Sequence, residues 1–258
     1  MSHQTIWITG ASSGIGREFA RRYAKLGFRL ILTARRRERL ELLAAELHAK
    51  YGTLCRIETA DLEQDAECEA LCAALADEHI DLFINNAGFG TCGAFTETDP
   101  DKELSMLRVN VLAMHRLFKF ALKKMEVQGS GTILNVASSA GLLPGGPYMA
   151  AYYASKAYVV SLTRGVAEEL REVRSPVFVC ALCPGPVDTE FNDRADVVFA
   201  LKGITSELCV EEAMRGMFRR KIIIVPSPLM RLATTAQKLV PTPLLMPIVA
   251  RQQKKKLG

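Results

Sequence analysis

Tyr152 and Lys156 are the residues of this sequence whose types and spacing most directly suggest chemistry. Positions four apart share one face of a helix, so Tyr152-Tyr153-Ala154-Ser155-Lys156 would hold an ammonium beside a phenol. A nearby cation favours phenolate and draws the phenol pKa down from about 10 toward working pH. Such a hydroxyl can give a proton to a carbonyl oxygen or take one from an alcohol, which is general acid–base work. Alone, the pattern is weak, because a surface aromatic and a solvated lysine give the same spacing on many helices.

A second constellation is Thr9-Gly10-Ala11-Ser12-Ser13-Gly14-Ile15-Gly16. Gly10 permits a tight turn, Gly14 lets backbone approach a phosphate, and Gly16 lets helix and strand pack closely. The helix that follows offers free N–H groups and a partial positive charge to a pyrophosphate, and Ser12, Ser13 and Ile15 lie in the same turn. Placed after a strand and before a helix, the glycines predict a dinucleotide site. The same stretch contains Gly10-x-Ser12-x-Gly14, which also fits the nucleophile elbow of serine hydrolases. That alternative needs a later acid and histidine. The histidines are His3, His48, His79 and His115, and none falls in a convincing loop after a strand.

The cofactor type is legible further on. A site for NAD usually ends its second strand with a carboxylate for the ribose 2′-hydroxyl. Here the strand ends Thr33-Ala34-Arg35-Arg36-Arg37. Guanidinium forks match the oxygens of a 2′-phosphate. Arg35, helped by Arg36, is therefore the expected phosphate ligand, and NADP(H) the expected cofactor. Arg37 reads as a solvent-facing start to a helix.

These residues need elements to position them. Strand-like runs at Thr5–Thr9, Phe28–Thr33, Thr53–Thr59, Leu82–Asn85, Thr132–Val136, Val177–Leu182 and Ile222–Val225 alternate with helical periodicity. Helices are predicted over Gly14–Leu26, Arg36–Lys50, Gln64–Ala76, Lys102–Val127 and Tyr152–Val173. Strands joined by helices of this length pair in parallel through right-handed crossovers. The expected fold is α/β: a single-domain doubly wound parallel sheet of about seven strands, Rossmann-like, with helices on both faces and ligands beyond the strands' carboxyl ends. Residues 1–225 would form the catalytic domain and 226–258 a basic and apolar extension of it. At 258 residues, 49% hydrophobic and 24% charged, the chain suits one globular core.

In order and near-family spacing, TGASSGIG (9–16), NNAG (85–88), Asn110, Ser138 in VASSAG, YYASK (152–156) and PGPVDT (184–189) resemble the short-chain dehydrogenase/reductase family, in its branch of about this length. The likeness covers roughly residues 4–190. It implies that Tyr152 exchanges a proton with the substrate oxygen and that Lys156 lowers the tyrosine pKa and binds the nicotinamide ribose. It implies that Ser138 hydrogen-bonds the substrate oxygen and that Asn110 helps hold a water in a proton relay. By the same likeness Asn85, Asn86, Ala87 and Gly88 line the cofactor pocket and steady the sheet centre. Asp61 and Leu62 resemble the adenine-binding pair, and Pro184, Gly185, Val187 and Thr189 would face the nicotinamide. Ser138 stands fourteen positions before Tyr152, one more than usual, and Ser139 thirteen. The Ser-x-Ala-Gly pattern favours Ser138, with Pro144–Pro147 absorbing the extra residue. The family's substrate lid would fall at about 190–212, with Phe191, Val197, Val198, Phe199 and Leu201 as its apolar face, and with Phe89, Phe95 and Leu142 as pocket walls. Members commonly form dimers or tetramers through the two long helices, so a homo-oligomer is expected. The implied activity is NADP(H)-dependent hydride transfer to or from a carbonyl or alcohol, with a lipophilic substrate. The alternative is a dinucleotide-binding sensor or scaffold without catalysis, against which stand Asn110, Ser138, Tyr152 and Lys156 together.

Charge and cysteine usage bound the rest. The net charge is +5, yet ten of the 33 Lys and Arg follow Glu212 and no acidic residue does. The positive charge thus belongs to the tail, which also holds the apolar Leu239–Ala250 stretch broken by Pro241, Pro243 and Pro247. Basic residues beside an apolar run can rest on an anionic membrane surface, and weak peripheral contact is one expectation; a solvated end or a subunit contact is the other. Nucleic acid is not an expected partner, since no aromatics interleave with the basic residues. Seven scattered cysteines, with no secretory signal at the N-terminus, suggest reduced thiols in the cytoplasm. Cys180-x-x-Cys183 has no second pair, and no metal is expected.

Overall fold

The computed structural model describes residues 4–188, Glu190 and 203–254. Its strands are β1 Thr5–Thr9, β2 Arg29–Ala34, β3 Cys55–Thr59, β4 Leu82–Asn85, β5 Thr132–Val136, β6 Phe178–Leu182 and β7 Ile223–Ile224. They form one parallel sheet in the order β3-β2-β1-β4-β5-β6-β7. The order reverses between β1 and β4, which opens a crevice above their carboxyl ends.

Alternation along the strands feeds two cores. Ile6, Ile8, Leu30 and Leu32 pack under α1 Gly14–Lys25, α2 Arg37–Tyr51 and α7 Ser206–Phe218, through Phe19, Leu40, Leu47 and Cys209. On the opposite face Trp7, Ile31 and Phe83 pack under α3 Asp65–Ala74, α5 Met114–Gln128 and α6 Ala150–Glu172. Trp7 stacks on Phe83 at 3.9 Å and donates its Nε1–H to Thr33 Oγ1 at 3.0 Å, so the largest core side chain also has its polar handle satisfied.

The helix expected over 102–127 is not continuous. It consists of α4 Pro100–Leu107, a π-helical segment Arg108–Ala113, and α5. Apolar periodicity does not reveal a single wide turn, and such turns occur mostly at functional sites. The widened turn carries Asn110. The tail is also more ordered than its prolines suggest: α8 Pro228–Ala236 and α9 Thr242–Lys254 both form, with Pro247 inside α9. Buried Leu245 and Val249 anchor α9 to the domain. Of the segment read as a lid, 191–202 lies outside the described residues. Its last part is the start of α7, where Cys209 and Val210 are core residues rather than a cover. Ile204 N–H donates to Pro186 O at 3.0 Å and Asp188 N–H to Ile204 O at 3.2 Å, which ties Ile204 to the chain just after β6.

All seven cysteines are thiols outside any disulfide, and burial pushes the Cys68 and Cys72 thiols up to about 11 and Cys183 to about 12, so these three remain protonated and inert near neutrality. Among the described residues no group of three or more His, Cys, Asp or Glu could hold a metal, and no helix is long and apolar enough to cross a membrane.

Candidate active site

A cavity of about 270 Å³ lies over the carboxyl ends of β1, β4, β5 and β6. Of the predicted cofactor residues, Gly10, Ser12, Ser13, Gly14, Ile15, Arg35, Asp61, Leu62, Asn86, Ala87, Gly88, Pro184, Gly185 and Val187 all line it. Thr189 lies outside the described residues. Gly16 sits just behind the lining: a Cβ there would strike the Gly10 carbonyl and the Asn86 amide. Gly10 and Gly14 have φ of 67° and 52°, a backbone conformation that favours glycine.

The glycine turn is shaped to take an anion. Ser13 caps α1 in an extended conformation without a side-chain cap bond, so the first amides of the helix are not satisfied by it. Thr9, fully buried, accepts the N–H groups of Asn86 and Ala87 at 2.9 and 3.1 Å and so fixes the 86–88 loop beside the turn. At the far end Arg36 donates to Ser12 Oγ at 3.2 Å and to Glu190 Oε2 at 3.1 Å. Arg35 pairs with Glu63 at 2.7 Å and lies 3.6 Å from Asp61. Arg37 pairs with Glu41 in solvent, as its helical position predicts. The link to Ser12 makes Arg36, not Arg35, the guanidinium bonded to the glycine turn. A cleft with uncapped amides midway and two arginines at one end fits a dinucleotide phosphate chain with a further phosphate beyond it.

At the other end stand Ser138, Tyr152 and Lys156, all buried and all facing the cavity. Tyr152 lies in the first turn of α6, and Lys156 one turn on, its Nζ 5.9 Å from the Tyr152 ring centroid. The ammonium also donates to Val136 O at 3.1 Å, at the end of β5. Ser138 ends an extended stretch after β5. Its hydroxyl accepts from Ala140 N–H at 3.1 Å, donates to Pro184 O at 3.4 Å and hydrogen-bonds Tyr152. Ser139 also lines the cavity, but its amide is what holds Pro184 O, at 2.8 Å. Of the two serines, Ser138 is the one joined to Tyr152.

One electrostatic expectation changes. Burial pushes the Tyr152 phenol up to about 12, with the Ser138 hydrogen bond opposing, and burial pulls Lys156 down to about 8. Desolvation therefore outweighs the neighbouring cation, and the phenol is protonated at neutral pH.

Asn110 does not reach the cavity. Its side chain is committed to the loop after β4: Oδ1 accepts from Phe89 N–H at 3.1 Å, and Nδ2 donates to Phe89 O at 2.9 Å and Ser155 Oγ at 3.2 Å. Gly88 makes this possible, since a Cβ there would meet Asn110 Oδ1 at 2.8 Å and Lys156 Nζ at 3.3 Å. Deeper still, Asn85 Nδ2 donates to Asn135 Oδ1 at 3.2 Å and Asn135 Nδ2 to Thr163 Oγ1 at 3.0 Å. This buried polar chain ties β4, β5 and α6 in one register. Of the expected pocket walls, Phe89 lines the cavity, whereas Phe95 is 69% exposed and Leu142 is not in the lining. Sequence reasoning missed Met149, Tyr153, Met230, Gln252 and Gln253, which also line the cavity. Nothing local in the sequence marks the last three, which come from the tail.

Fold and site together define a nucleotide-dependent oxidoreductase of the doubly wound class. The chain belongs to the short-chain dehydrogenase family, whose model, short chain dehydrogenase, matches residues 4–197. A Streptomyces coelicolor protein named as a ketoacyl reductase is 38% identical over 186 residues, 70% of each chain. Among solved structures, a short-chain dehydrogenase from Sphingobium yanoikuyae in complex with NADPH superposes with a TM-score of 0.82 at 32% identity, covering 92% of this chain and 94% of that one. The bulky-bulky ketone specific alcohol dehydrogenase from Comamonas testosteroni gives 0.78 at 28% identity, with 93% and 94% covered. A family member from Burkholderia phymatum in complex with NAD gives 0.83 at 27% identity, with 95% of each covered, so the fold serves both nicotinamide dinucleotides.

Proposed function

We propose that this chain is an NADP(H)-dependent reductase of a lipophilic ketone or aldehyde, with Tyr152 as proton donor. The observation that carries the reading is the buried group of Ser138, Tyr152 and Lys156 at one end of a cleft whose other end holds Arg35 and Arg36. The bound dinucleotide supplies the hydride. Ser138 and Tyr152, already hydrogen-bonded to each other, offer two hydroxyls to one carbonyl oxygen. A phenol held protonated by burial is loaded for donation, which favours reduction over alcohol oxidation. After donation, the phenolate is on the ring whose centroid lies 5.9 Å from the Lys156 ammonium, and an opposite charge so placed favours the charged form. Lys156 thus acts on the product of proton transfer rather than on the resting phenol. Asn110 acts as a positioning residue for the 88–89 loop. A panel of ketones and aldehydes followed by NADPH absorbance tests the reading, which fails if no carbonyl compound is reduced.

The lysine gives the reaction a pH signature. Lys156 is an ammonium below about 8 and neutral above it, whereas Tyr152 keeps its proton to about 12. Accordingly kcat/KM for reduction is expected to be flat below pH 7 and to fall through about 8, and the limb reports the free enzyme. A flat profile from pH 7 to 10 would contradict the role of the ammonium.

Cofactor preference rests on Arg35 and Arg36 and on the absence of a carboxylate at the end of β2. Arg36→Ala is expected to lower kcat/KM with NADPH by about tenfold or more and leave NADH less affected, since charge-assisted hydrogen bonds contribute about 1.5–3 kcal/mol. Equal losses with both cofactors would remove Arg36 from phosphate recognition.

Two exposed surfaces are suited to partners. Leu112, in the π-helical segment before α5, and Tyr158, on α6, are exposed, where a homo-oligomer would form. On the tail, Leu229, Leu232, Leu239, Leu244 and Ile248 are each at least 60% exposed beside Arg231, Lys238, Arg251 and Lys254, an arrangement suited to an anionic membrane surface. Vesicles of anionic lipid at low salt are expected to sediment the protein, and Leu232→Asp with Ile248→Asp to release it. The tail is read as part of the same domain because Met230 and Gln253 line the cavity.

A further inference from the structure

Both terminal nitrogens of Arg36, the guanidinium bonded to the glycine turn, are engaged by one carboxylate. Nη1 donates to Glu190 Oε2 at 3.1 Å, and Nη2 donates to the same oxygen at 3.2 Å and to Ser12 Oγ at 3.2 Å. Arg39, in the first turn of α2, donates from Nη1 to both oxygens of Glu190 at 2.8 Å. Glu190 thus bridges two guanidinium groups at the place where the proposed cofactor presents its extra phosphate.

This carboxylate comes from across the sheet. Glu190 follows β6, whereas Arg36 and Arg39 follow β2, and β1, β4 and β5 lie between those two strands. It lines the cavity, as do Arg36 and Ser12. The three charged side chains are 33–45% exposed, so a soluble anion can reach them. Arg35 has carboxylates of its own in Glu63 and Asp61, but it is Arg36 that reaches Ser12.

Two guanidinium groups and one carboxylate leave this cluster net positive. A phosphate monoester brings about 1.5–2 negative charges and three acceptor oxygens at pH 7, more than a carboxylate offers the same donors. A carboxylate left beside such a phosphate would be repelled by it. A ribose 2′-hydroxyl is neutral and has no charge with which to compete for the arginines.

We infer that Glu190 is an internal counter-anion that occupies Arg36 and Arg39 in the free protein and is displaced by the 2′-phosphate of NADP(H), with Arg39 as a further phosphate ligand. Glu190 therefore opposes binding of the phosphorylated cofactor and leaves NAD(H) binding untouched. The inference deepens the NADP(H) reading and rests on it for the location of the phosphate.

Calorimetric binding of adenosine 2′,5′-bisphosphate and of adenosine 5′-monophosphate to the full chain tests it without turnover. Glu190→Gln is expected to tighten the bisphosphate by about fivefold and to leave the monophosphate within about twofold, since each half-exposed ion pair that the phosphate need no longer break is worth up to about 1 kcal/mol, or fivefold. Arg39→Ala is expected to weaken the bisphosphate by about the same factor, again with little change for the monophosphate. Glu41→Gln, which removes one negative charge from the same helix beside solvent-facing Arg37, serves as the control for net charge. An equal gain in Glu41→Gln overturns the inference. So does weaker binding of both nucleotides by Glu190→Gln, because Glu190 would then be a clasp over bound nucleotide and not a competitor. A wild-type preference for the bisphosphate that Glu190→Gln leaves unchanged sinks the inference alone. Equal binding of the two nucleotides by the wild type and by every variant sinks the NADP(H) reading with it.

Discussion

Replacing Tyr152 by phenylalanine is expected to lower kcat for carbonyl reduction by about 10³-fold while the affinity for NADPH changes by less than about twofold. The size follows from what is removed: a positioned general acid contributes about 10²–10⁴. The change isolates the hydroxyl. The Tyr152 ring is buried and its packing survives, and Ser138 retains Pro184 O and Ala140 N–H as partners, so Ser138 is not orphaned. Thermal stability should therefore move little, which separates a chemical loss from a folding loss. Single-turnover oxidation of NADPH and calorimetric NADPH binding read the two quantities on one preparation. A variant that retains more than about a tenth of wild-type kcat would assign the proton to another group.

The second large effect is expected from Gly141→Val, a residue outside the cavity lining. Gly141 lies in the 3₁₀ turn Ser139–Leu142, where that turn crosses α6. A Cβ at Gly141 would overlap the carbonyl of Lys156 itself, a backbone atom that cannot rotate away. The turn that starts at Ser138 must then move off the helix that carries Tyr152 and Lys156. Overpacking of this kind costs about 1–3 kcal/mol, or a fall in Tm of several degrees for a chain of this size. The greater loss should be in kcat, since a shift of about 1 Å in a catalytic group can cost about 10²-fold. Gly165→Ala, on the same helix with open space around it, serves as the control. There added helix propensity should raise stability by about 0.5–1 kcal/mol. A Gly141→Val protein with unaltered kcat would show that the Ser138 turn is not held in place by this contact.

Much of this molecule is written locally. Most of the strands are largely apolar runs, the glycine turn lies within eight residues, and the Tyr152–Lys156 pair is a matter of helical spacing. Neighbours in sequence constrain each other through backbone geometry, so their arrangement can be read without the fold. By itself the sequence therefore determined the doubly wound architecture, the position of the cleft and most of its cofactor-side lining. Tertiary structure decided what depends on distant groups meeting. It joined Ser138 rather than Ser139 to Tyr152, bonded Arg36 to the glycine turn, committed Asn110 to the Phe89 backbone inside a widened helical turn, and brought Gln253 to Tyr153 across 100 positions. It also fixed the protonation of the two central groups, because desolvation is set by everything packed around a side chain, and no spacing of two residues encodes that.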